Sequence, residues 1–322
     1  MTLAEDTAGV EVEVSLLVPA KDEADSLAEF VSQCEKALKP LPYSCELVVI
    51  DDGSNDGTAE LLRDLSRKNA FLRTITHRTR RGIADALKSG SEIARGSIFV
   101  FYPADLQFSP NEIPSLVEPI RSGEADMVTG TKQGQYEKAF VSGIYNRICR
   151  WMFGVRVSDL NAVKAYRREV MEAVPARPDW HRFMVPIAAA DGFRLTERPV
   201  TLHPRLHGQS KFGIGRIPVG MLDLMSVWFQ LRFGRKPLLF FGVPGGILMF
   251  LGLLVGLVAI ALRIGGVGLR PLLSLTLILV ISGIALFGFG FIGELLAGQR
   301  EELRSLSRTI ERLSSDRPQR KP

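Results

Sequence analysis

Two uncharged apolar runs constrain this chain more than any other feature. Residues 238–262, LLFFGVPGGILMFLGLLVGLVAIAL, carry no charge in 25 positions, and residues 271–293, PLLSLTLILVISGIALFGFGFIG, carry none in 23. About 20 apolar residues in a helix span the hydrocarbon core of a bilayer, so each run is long enough to cross. The competing reading is a pair of buried core helices, but soluble helices of that length keep a polar face. Two crossings put both ends of the chain on one side. Arg232, Arg235 and Lys236 precede the first run and Arg300, Arg304 and Arg308 follow the second, against Arg263 and Arg270 in the short connection. That balance predicts an inner or plasma membrane protein with its soluble part and both termini cytoplasmic. The start, MTLAEDTAGVEVEV, lacks a basic and an apolar signal segment, so no secretory leader is expected.

Three expectations attach to the membrane end. Gly242/Gly246 and Gly252/Gly256 are small-xxx-small pairs that would let helices approach closely. Residues 214–237 would form an interfacial amphipathic helix and linker, with Met221, Leu224, Met225 and Trp228 on one face, and a helix packed on the soluble domain is an equal alternative. A tail over 299–322 continues the spacing of Leu296 and Gln299 through Leu303, Leu306, Ile310 and Leu313. It fits a short coiled coil joining subunits, and equally a solvated amphipathic helix. A homo-oligomer would form through the spans and this tail.

Residues 1–213 read as a soluble domain in which strands alternate with helices. Val10, Val12, Val14 and Leu16 alternate with polar residues and run into LLVP. ELVVI (46–50), FLRTITH (71–77), SIFVFY (97–102) and ADMVTG (125–130) are further strands. Helices are expected from about Ala24 to Leu38, from Thr58, from Ile83 to Ala94, and from Ser109-Pro110, where Ser caps and Pro fits the first turn. The pattern is α/β, a doubly wound and mostly parallel sheet that binds ligands at the C-terminal ends of its strands. No G-x-G-x-x-G follows the first strand and no G-x-x-x-x-G-K-[ST] occurs, which argues against dinucleotide dehydrogenases and P-loop enzymes. Three cysteines without a C-x-x-C pair and four histidines exclude a disulfide scaffold and a Cys/His zinc site. A net charge of +5, from 40 basic and 35 acidic residues spread among each other, does not point to nucleic acid.

Acidic residues gather at three strand ends. Pro19-Ala20-Lys21-Asp22-Glu23 follows the first strand, Asp51-Asp52-Gly53-Ser54-Asn55-Asp56-Gly57-Thr58 the second, and Pro103-Ala104-Asp105-Leu106-Gln107 the fourth. One such turn alone is usually a helix cap. Several in one crevice repel unless a cation offsets them, and a hard divalent cation that bridges to substrate phosphates is the economical solution.

The order VPAKDE, VVIDDGSNDGT, RGIADALKSG, ADLQ and RLHGQSKF resembles the family 2 glycosyltransferases of GT-A fold. Within them it is similar to the polyprenyl-phosphate glycosyltransferases, the dolichol-phosphate mannose synthase group and its bacterial membrane-anchored branch. The resemblance covers roughly residues 14–213. It implies an inverting transfer of one sugar from a UDP- or GDP-linked donor to polyprenyl phosphate; the Q-x-x-R-W motif of processive synthases is missing from the sequence. By resemblance, Pro19, Lys21, Glu23, Asp51 and Asp52 hold the nucleotide, and Asp105 and Gln107 ligate Mg²⁺ or Mn²⁺. Lys132, Arg147, Arg205, Ser210 and Lys211 hold the acceptor phosphate, and Asp159 orients or activates the acceptor. The chain departs from the family in two places. Pro103 stands where the first Asp of D-x-D falls, and Val163-Lys164-Ala165 stands where Gly-Phe-Arg usually follows Asp159. The first departure leaves an alternative open, a catalytically weakened membrane scaffold that binds sugar nucleotide.

Overall fold

The computed structural model describes residues 12–133, 139–155, 157–160, 162–174, 177, 179–204, 217–268 and 270–315. The chain divides into two compact units, Met1–Ile217 and Pro218–Pro322.

The first unit is built on a seven-stranded sheet. Its strands are β1 (Val14–Ala20), β2 (Cys45–Asp51), β3 (Leu72–Thr76), β4 (Ile98–Phe101), β5 (Met127–Gln133), β6 (Lys164–Arg167) and β7 (Leu195–Thr201), in the order β3-β2-β1-β4-β6-β5-β7. The helices are α1 (Ala24–Leu38), α2 (Thr58–Lys68), α3 (Ile83–Ile93), α4 (Ile113–Arg121), α5 (Ala139–Phe153), α6 (Arg168–Ala173) and α7 (Met184–Ala190). β1 and β2 are buried along almost their whole length, as central parallel strands covered on both faces must be. Of their two buried acids, Glu46 and Asp51, Glu46 accepts from Ser15 Oγ (2.6 Å), Arg95 N (2.5 Å) and Arg95 Nε (3.0 Å), and the Ser15 hydroxyl accepts from Gly96 N (2.9 Å). Backbone and guanidinium donors thus offset burial of the carboxylate. Ser109 Oγ accepts from Asn111 N, as expected of a cap, but the segment opens with a 3₁₀ turn over Pro110–Glu112 before α4 begins.

The five strands read from the sequence are all present. The sheet departs from parallel at one strand, β6, which runs antiparallel to both neighbours. Phe101 pairs with Lys164, and so does Thr129. The start of β6 therefore lies beside the C-terminal end of β4, the edge where ligands bind in such sheets, and beside the middle of β5.

The second unit holds α8 (Ile217–Phe233), α9 (Pro237–Ile264) and α10 (Arg270–Ser315). Pro237–Ile264 and Arg270–Leu303 are long and apolar enough to cross a membrane. Small residues set the α9–α10 contact. A Cβ on Gly245 would meet Gly283 O at 2.8 Å, and one on Gly252 would meet a Val280 methyl at 2.7 Å. Gly256 faces Thr276, whereas nothing lies within 4 Å of a Cβ on Gly246. The expected pairing of Gly242 with Gly246 is thus replaced by Gly242 and Gly245, three residues apart on the contact side. Glu294 Oε2 accepts from Leu238 N (3.2 Å), satisfying one of the free donors at the start of α9.

In α8, Leu224 and Val227 are buried, while Val219, Met221, Leu222 and Met225 are exposed. α10 runs from the second span into the tail, to Ser315, without a break.

Candidate active site

Two loops at the strand ends are tied together by their own acidic residues. Lys21 Nζ donates to Gly53 O (2.7 Å) and pairs with Asp22 (3.3 Å). Asp22 N donates to Ser54 Oγ (2.9 Å), and Asn55 N donates back to Asp22 Oδ1 (2.9 Å). Glu23 N donates to Thr58 Oγ1 (3.2 Å) and Ala24 N to Asp56 Oδ2 (3.1 Å). Asp22 holds a left-handed φ of 52°, a strained value for a residue with a side chain. The Asn55 N–H and the Lys21 cation hold its carboxyl below the usual range.

The adjacent acids Asp51 and Asp52 have different surroundings. Burial disfavours the Asp52 carboxylate, yet Arg81 N (2.7 Å), Gly82 N (2.8 Å) and His77 Nδ1 (3.0 Å) all reach it and keep its pKa low. Both of its oxygens are therefore engaged inside the fold. Asp51 Oδ1 accepts from Ser54 N (2.9 Å), whereas its buried Oδ2 has no hydrogen-bond partner among the described residues. Gly53 is required where the loop after β2 passes the backbone that follows β3. Its φ is +71°, and a Cβ there would meet the Thr79 carbonyl carbon at 2.7 Å.

The segment after β4 alternates sharply. Tyr102, Ala104, Leu106, Phe108 and Pro110 are buried, while Pro103, Asp105, Gln107 and Ser109 are partly open. Tyr102 anchors the turn through its hydroxyl, which donates to Ser109 O (2.7 Å), and through its ring, packed against Phe30 and Phe108. Leu106 sits at φ 56°, so the turn stores strain between Asp105 and Gln107. Gln107 N donates to Asp105 Oδ1 (3.3 Å), and Gln107 Nε2 and O bond the backbone of His203. Asp105 and Gln107 thus occupy the open positions of one anchored turn, with Pro103 on the same side. A carboxylate and an amide carbonyl are oxygen donors of the kind hard cations take. Among the described residues no group of three or more His, Cys, Asp or Glu gathers as a metal site.

A third cluster lies around the start of β6. Lys132 Nζ pairs with Asp159 Oδ2 at 3.4 Å, with both side chains mostly buried. Thr129 Oγ1 donates to Asp159 O (2.9 Å), and Glu197 receives Ser158 N (2.5 Å), Ser158 Oγ (2.7 Å) and Asp159 N (3.3 Å). Lys164 is 1% exposed; its Nζ donates to Ala162 O (2.7 Å) and lies 5.7 Å from the centre of the Phe101 ring. Burial pushes this ammonium down to about 7, with Asp159 opposing and Lys132 assisting the shift. His181 packs edge-on to Phe101, and its buried Nδ1 has no partner among the described residues. Burial, with Lys164 and Arg182 nearby, pushes it down to about 3.

The structure therefore brings Asp159 and Lys132 into one ion pair and leaves Arg147 exposed on α5. Arg205, Ser210 and Lys211 lie outside the described residues. Sequence reasoning missed Lys164, His181 and Glu197. The only signal for Lys164 was its place directly after the Asp159 segment, read there as a departure from the family pattern.

Residues 15–166 match the family-wide profile of Glycosyl transferase family 2. The chain is 30% identical over 300 residues to the dodecaprenyl-phosphate galacturonate synthase of Rhizobium johnstonii, an overlap of 89% of this chain and 88% of that one. It is 32% identical over 323 residues to the undecaprenyl-phosphate 4-deoxy-4-formamido-L-arabinose transferase of Pseudomonas paraeruginosa, covering 96% and 92% of the two. Among solved structures, glucosyl-3-phosphoglycerate synthase of Mycobacterium tuberculosis with Mn²⁺, UDP and glucosyl-3-phosphoglycerate has a TM-score of 0.53 at 19% identity, covering 68% of this chain and 80% of that one. With UDP-glucose and Mn²⁺ the same enzyme has a TM-score of 0.54 at 20% identity, covering 67% and 79%. The structural likeness establishes the fold and the full-length likeness the lineage: the chain belongs to glycosyl transferase family 2, within its polyprenyl-phosphate glycosyltransferase group, and has the GT-A fold.

Proposed function

We propose that this protein is a membrane-anchored glycosyltransferase that moves one sugar from a nucleotide sugar, UDP- or GDP-linked, to polyprenyl phosphate. The observation that carries the reading is the anchored turn after β4, whose open positions are Asp105 and Gln107, on the same sheet edge as the Lys132–Asp159 pair. Relatives that share the whole length of the chain are named as polyprenyl-phosphate transferases, which supports an enzyme over a sugar-nucleotide-binding scaffold.

In this reading a phosphate oxygen of the acceptor attacks the anomeric carbon of the donor sugar. The new C–O bond forms as the bond from that carbon to the nucleoside diphosphate breaks, with inversion. The acceptor oxygen is already anionic, so no strong base is required. The difficulty is bringing two anions together, and it is met by preorganised positive charge. Lys132, Arg147, Arg205 and Lys211 supply that charge toward the acceptor phosphate, and Ser210 donates to it. Asp159, paired with Lys132, fixes where that ammonium points. Pro19, Lys21, Glu23, Asp51 and Asp52 form the nucleotide side, where the unpartnered Oδ2 of Asp51 accepts from a base N–H or a ribose hydroxyl. Asp105 and Gln107 would hold Mg²⁺ or Mn²⁺, which neutralises the leaving diphosphate. With Pro103 in the first position of D-x-D, Asp105 and Gln107 are the two protein groups of this turn that would hold the cation, and Mg²⁺ commonly accepts so few. The spans hold the domain at the bilayer, where the acceptor resides, with the domain and termini cytoplasmic.

The test is full-length protein in nanodiscs with polyprenyl phosphate, radiolabelled UDP- and GDP-sugars, and Mg²⁺ or Mn²⁺. Lipid-linked product is expected with at least one donor, and Asp105→Asn is expected to lower its rate by roughly 100-fold or more. Nucleotide binding without turnover of any donor would overturn the enzyme reading in favour of the scaffold.

A further inference from the structure

Glu197 lies on β7, the last strand of the sheet, and turns its carboxylate onto two consecutive residues of the segment between α5 and β6. Ser158 N (2.5 Å), Ser158 Oγ (2.7 Å) and Asp159 N (3.3 Å) donate to its Oε1, and Ser158 Oγ also reaches Oε2 (2.7 Å). Thr129, the register partner of Glu197 on β5, holds the same segment, donating its Oγ1 to Asp159 O (2.9 Å). The Asp159 backbone is thus bonded at both its N–H and its C=O by side chains of paired strands. The adjacent cation, Arg198, pairs with Glu124 (3.1 Å), and among the described residues no cation pairs with Glu197. The Glu197 carboxylate is answered by the donors of the segment it holds.

Such bonding would be ordinary loop anchoring if the side chain it fixes were idle. Asp159 is 5% exposed, and its Oδ2 lies 3.4 Å from Lys132 Nζ, itself mostly buried. A lysine has a flexible four-carbon stem, so its ammonium is placed only as well as the group that holds it. Hydrogen bonds to an ionised acceptor are roughly twice as strong as neutral ones, which suits a carboxylate to fixing the backbone behind Asp159. We propose that Glu197 is a positioning residue of the acceptor site: with Thr129 it holds the Asp159 backbone, and the Asp159 carboxylate in turn sets the Lys132 ammonium toward the acceptor phosphate. The proposal rests on the reading that places Lys132 on that phosphate. It adds the residue, two steps removed from the acceptor, on which that placement depends.

The test has a kinetic arm and a chemical arm, both on full-length protein in nanodiscs. Glu197→Leu keeps the bulk and removes every acceptor. It should raise the KM for polyprenyl phosphate about 10-fold, as loss of charge-assisted hydrogen bonds does, and move the KM for the nucleotide sugar by less than about twofold. Glu197→Gln keeps a carbonyl oxygen for the Ser158 N–H and should recover most of the loss. Added to Lys132→Met, Glu197→Leu should cost less than about twofold more, because residues that act through one group are not additive. Thr129→Val removes the bond to Asp159 O and should act in the same direction, which keeps the test decisive if Glu197→Leu fails to fold. The chemical arm reads acetylation of Lys132 by mass spectrometry, relative to the exposed Lys88. Breaking the hold on Asp159 should speed it about fivefold or more, the usual worth of one ion pair. A full 10-fold loss on top of Lys132→Met would overturn the proposal, since Glu197 would then serve the fold and not the ammonium. Unchanged Lys132 acetylation in Glu197→Leu and Thr129→Val would overturn it as well. Absence of product from every donor would instead overturn the enzyme reading, and the acetylation rates would still decide whether Glu197 places Lys132.

Discussion

Lys164 shows how a residue invisible to motif reading can matter physically. Its ammonium is buried beside Phe101, bonded to Ala162 O, and pushed down to about 7. An unfolded chain keeps that lysine protonated up to about pH 10.4. Between pH 7 and 10 the unfolded state therefore binds more protons than the folded one, so stability rises with pH across that window. Below pH 7 both states are protonated and the full penalty of burying the charge is present. Lys164→Met should remove this slope, which one group can set at no more than about 1.4 kcal/mol per pH unit. Thermal unfolding in detergent at pH 6, 7.5 and 9 checks it. A variant whose melting temperature still rises like the wild type would show that the slope belongs to another group. His181 acts in the opposite range. Held neutral down to about pH 3 against an ordinary value near 6.5, it makes the folded state lose stability as pH falls below 6.5. His181→Gln should flatten that acid limb. Neither effect was legible in the sequence, because burial and the distance to a second cation are properties of the folded sheet.

At the scale of elements, legibility followed length and period. β1, β2 and β4 were readable because a run of branched or aromatic residues bounded by turn residues has few alternatives. β6 is only four residues, KAYR, and has no such signature, so its antiparallel insertion was hidden. Yet that insertion brings Lys164 to the end of β4 and the middle of β5. The glycines of the spans show the same limit. A small-xxx-small pair names a spacing but not a side, and the contact side runs through Gly245 and Gly283, not Gly246. A Cβ on Gly283 would meet Met249 Cγ at 2.5 Å and Gly245 O at 2.7 Å, whereas one on Gly246 meets nothing within 4 Å. Gly283→Ala should therefore cost about 1–3 kcal/mol of overpacking and lower the melting temperature in detergent, while Gly246→Ala leaves it unchanged. Equal responses would show that the two helices pack in another register.

For the whole molecule, the question is how one chain divides its charges between building a site and using it. The acidic turns that drew attention in the sequence largely build. Asp22, Asp52 and Asp56 tie the loops after β1 and β2 to each other and to α3. Asp51, with its unpartnered oxygen, and Asp105, at a partly open position, are the acids that the proposed function assigns to the nucleotide and the cation. Motif order could locate the crevice but not this division, since every acid in DDGSNDG looks alike before the backbone N–H groups around it are known. The cations divide in the same way, with Lys21 bonded to Gly53 O and Lys132 to Asp159. In the proposed function the RLHGQSKF motif supplies the remaining cations of the acceptor side, so use of the acceptor phosphate should depend on it selectively. Lys211→Ala is expected to raise the KM for polyprenyl phosphate by roughly 10-fold or more, the usual cost of losing a charge-assisted hydrogen bond. Nucleotide affinity, read by calorimetry on the same preparation, should change by much less. Equal losses on both substrates would place Lys211 on the donor, and the acceptor phosphate would then have to be held by Lys132 and the arginines alone.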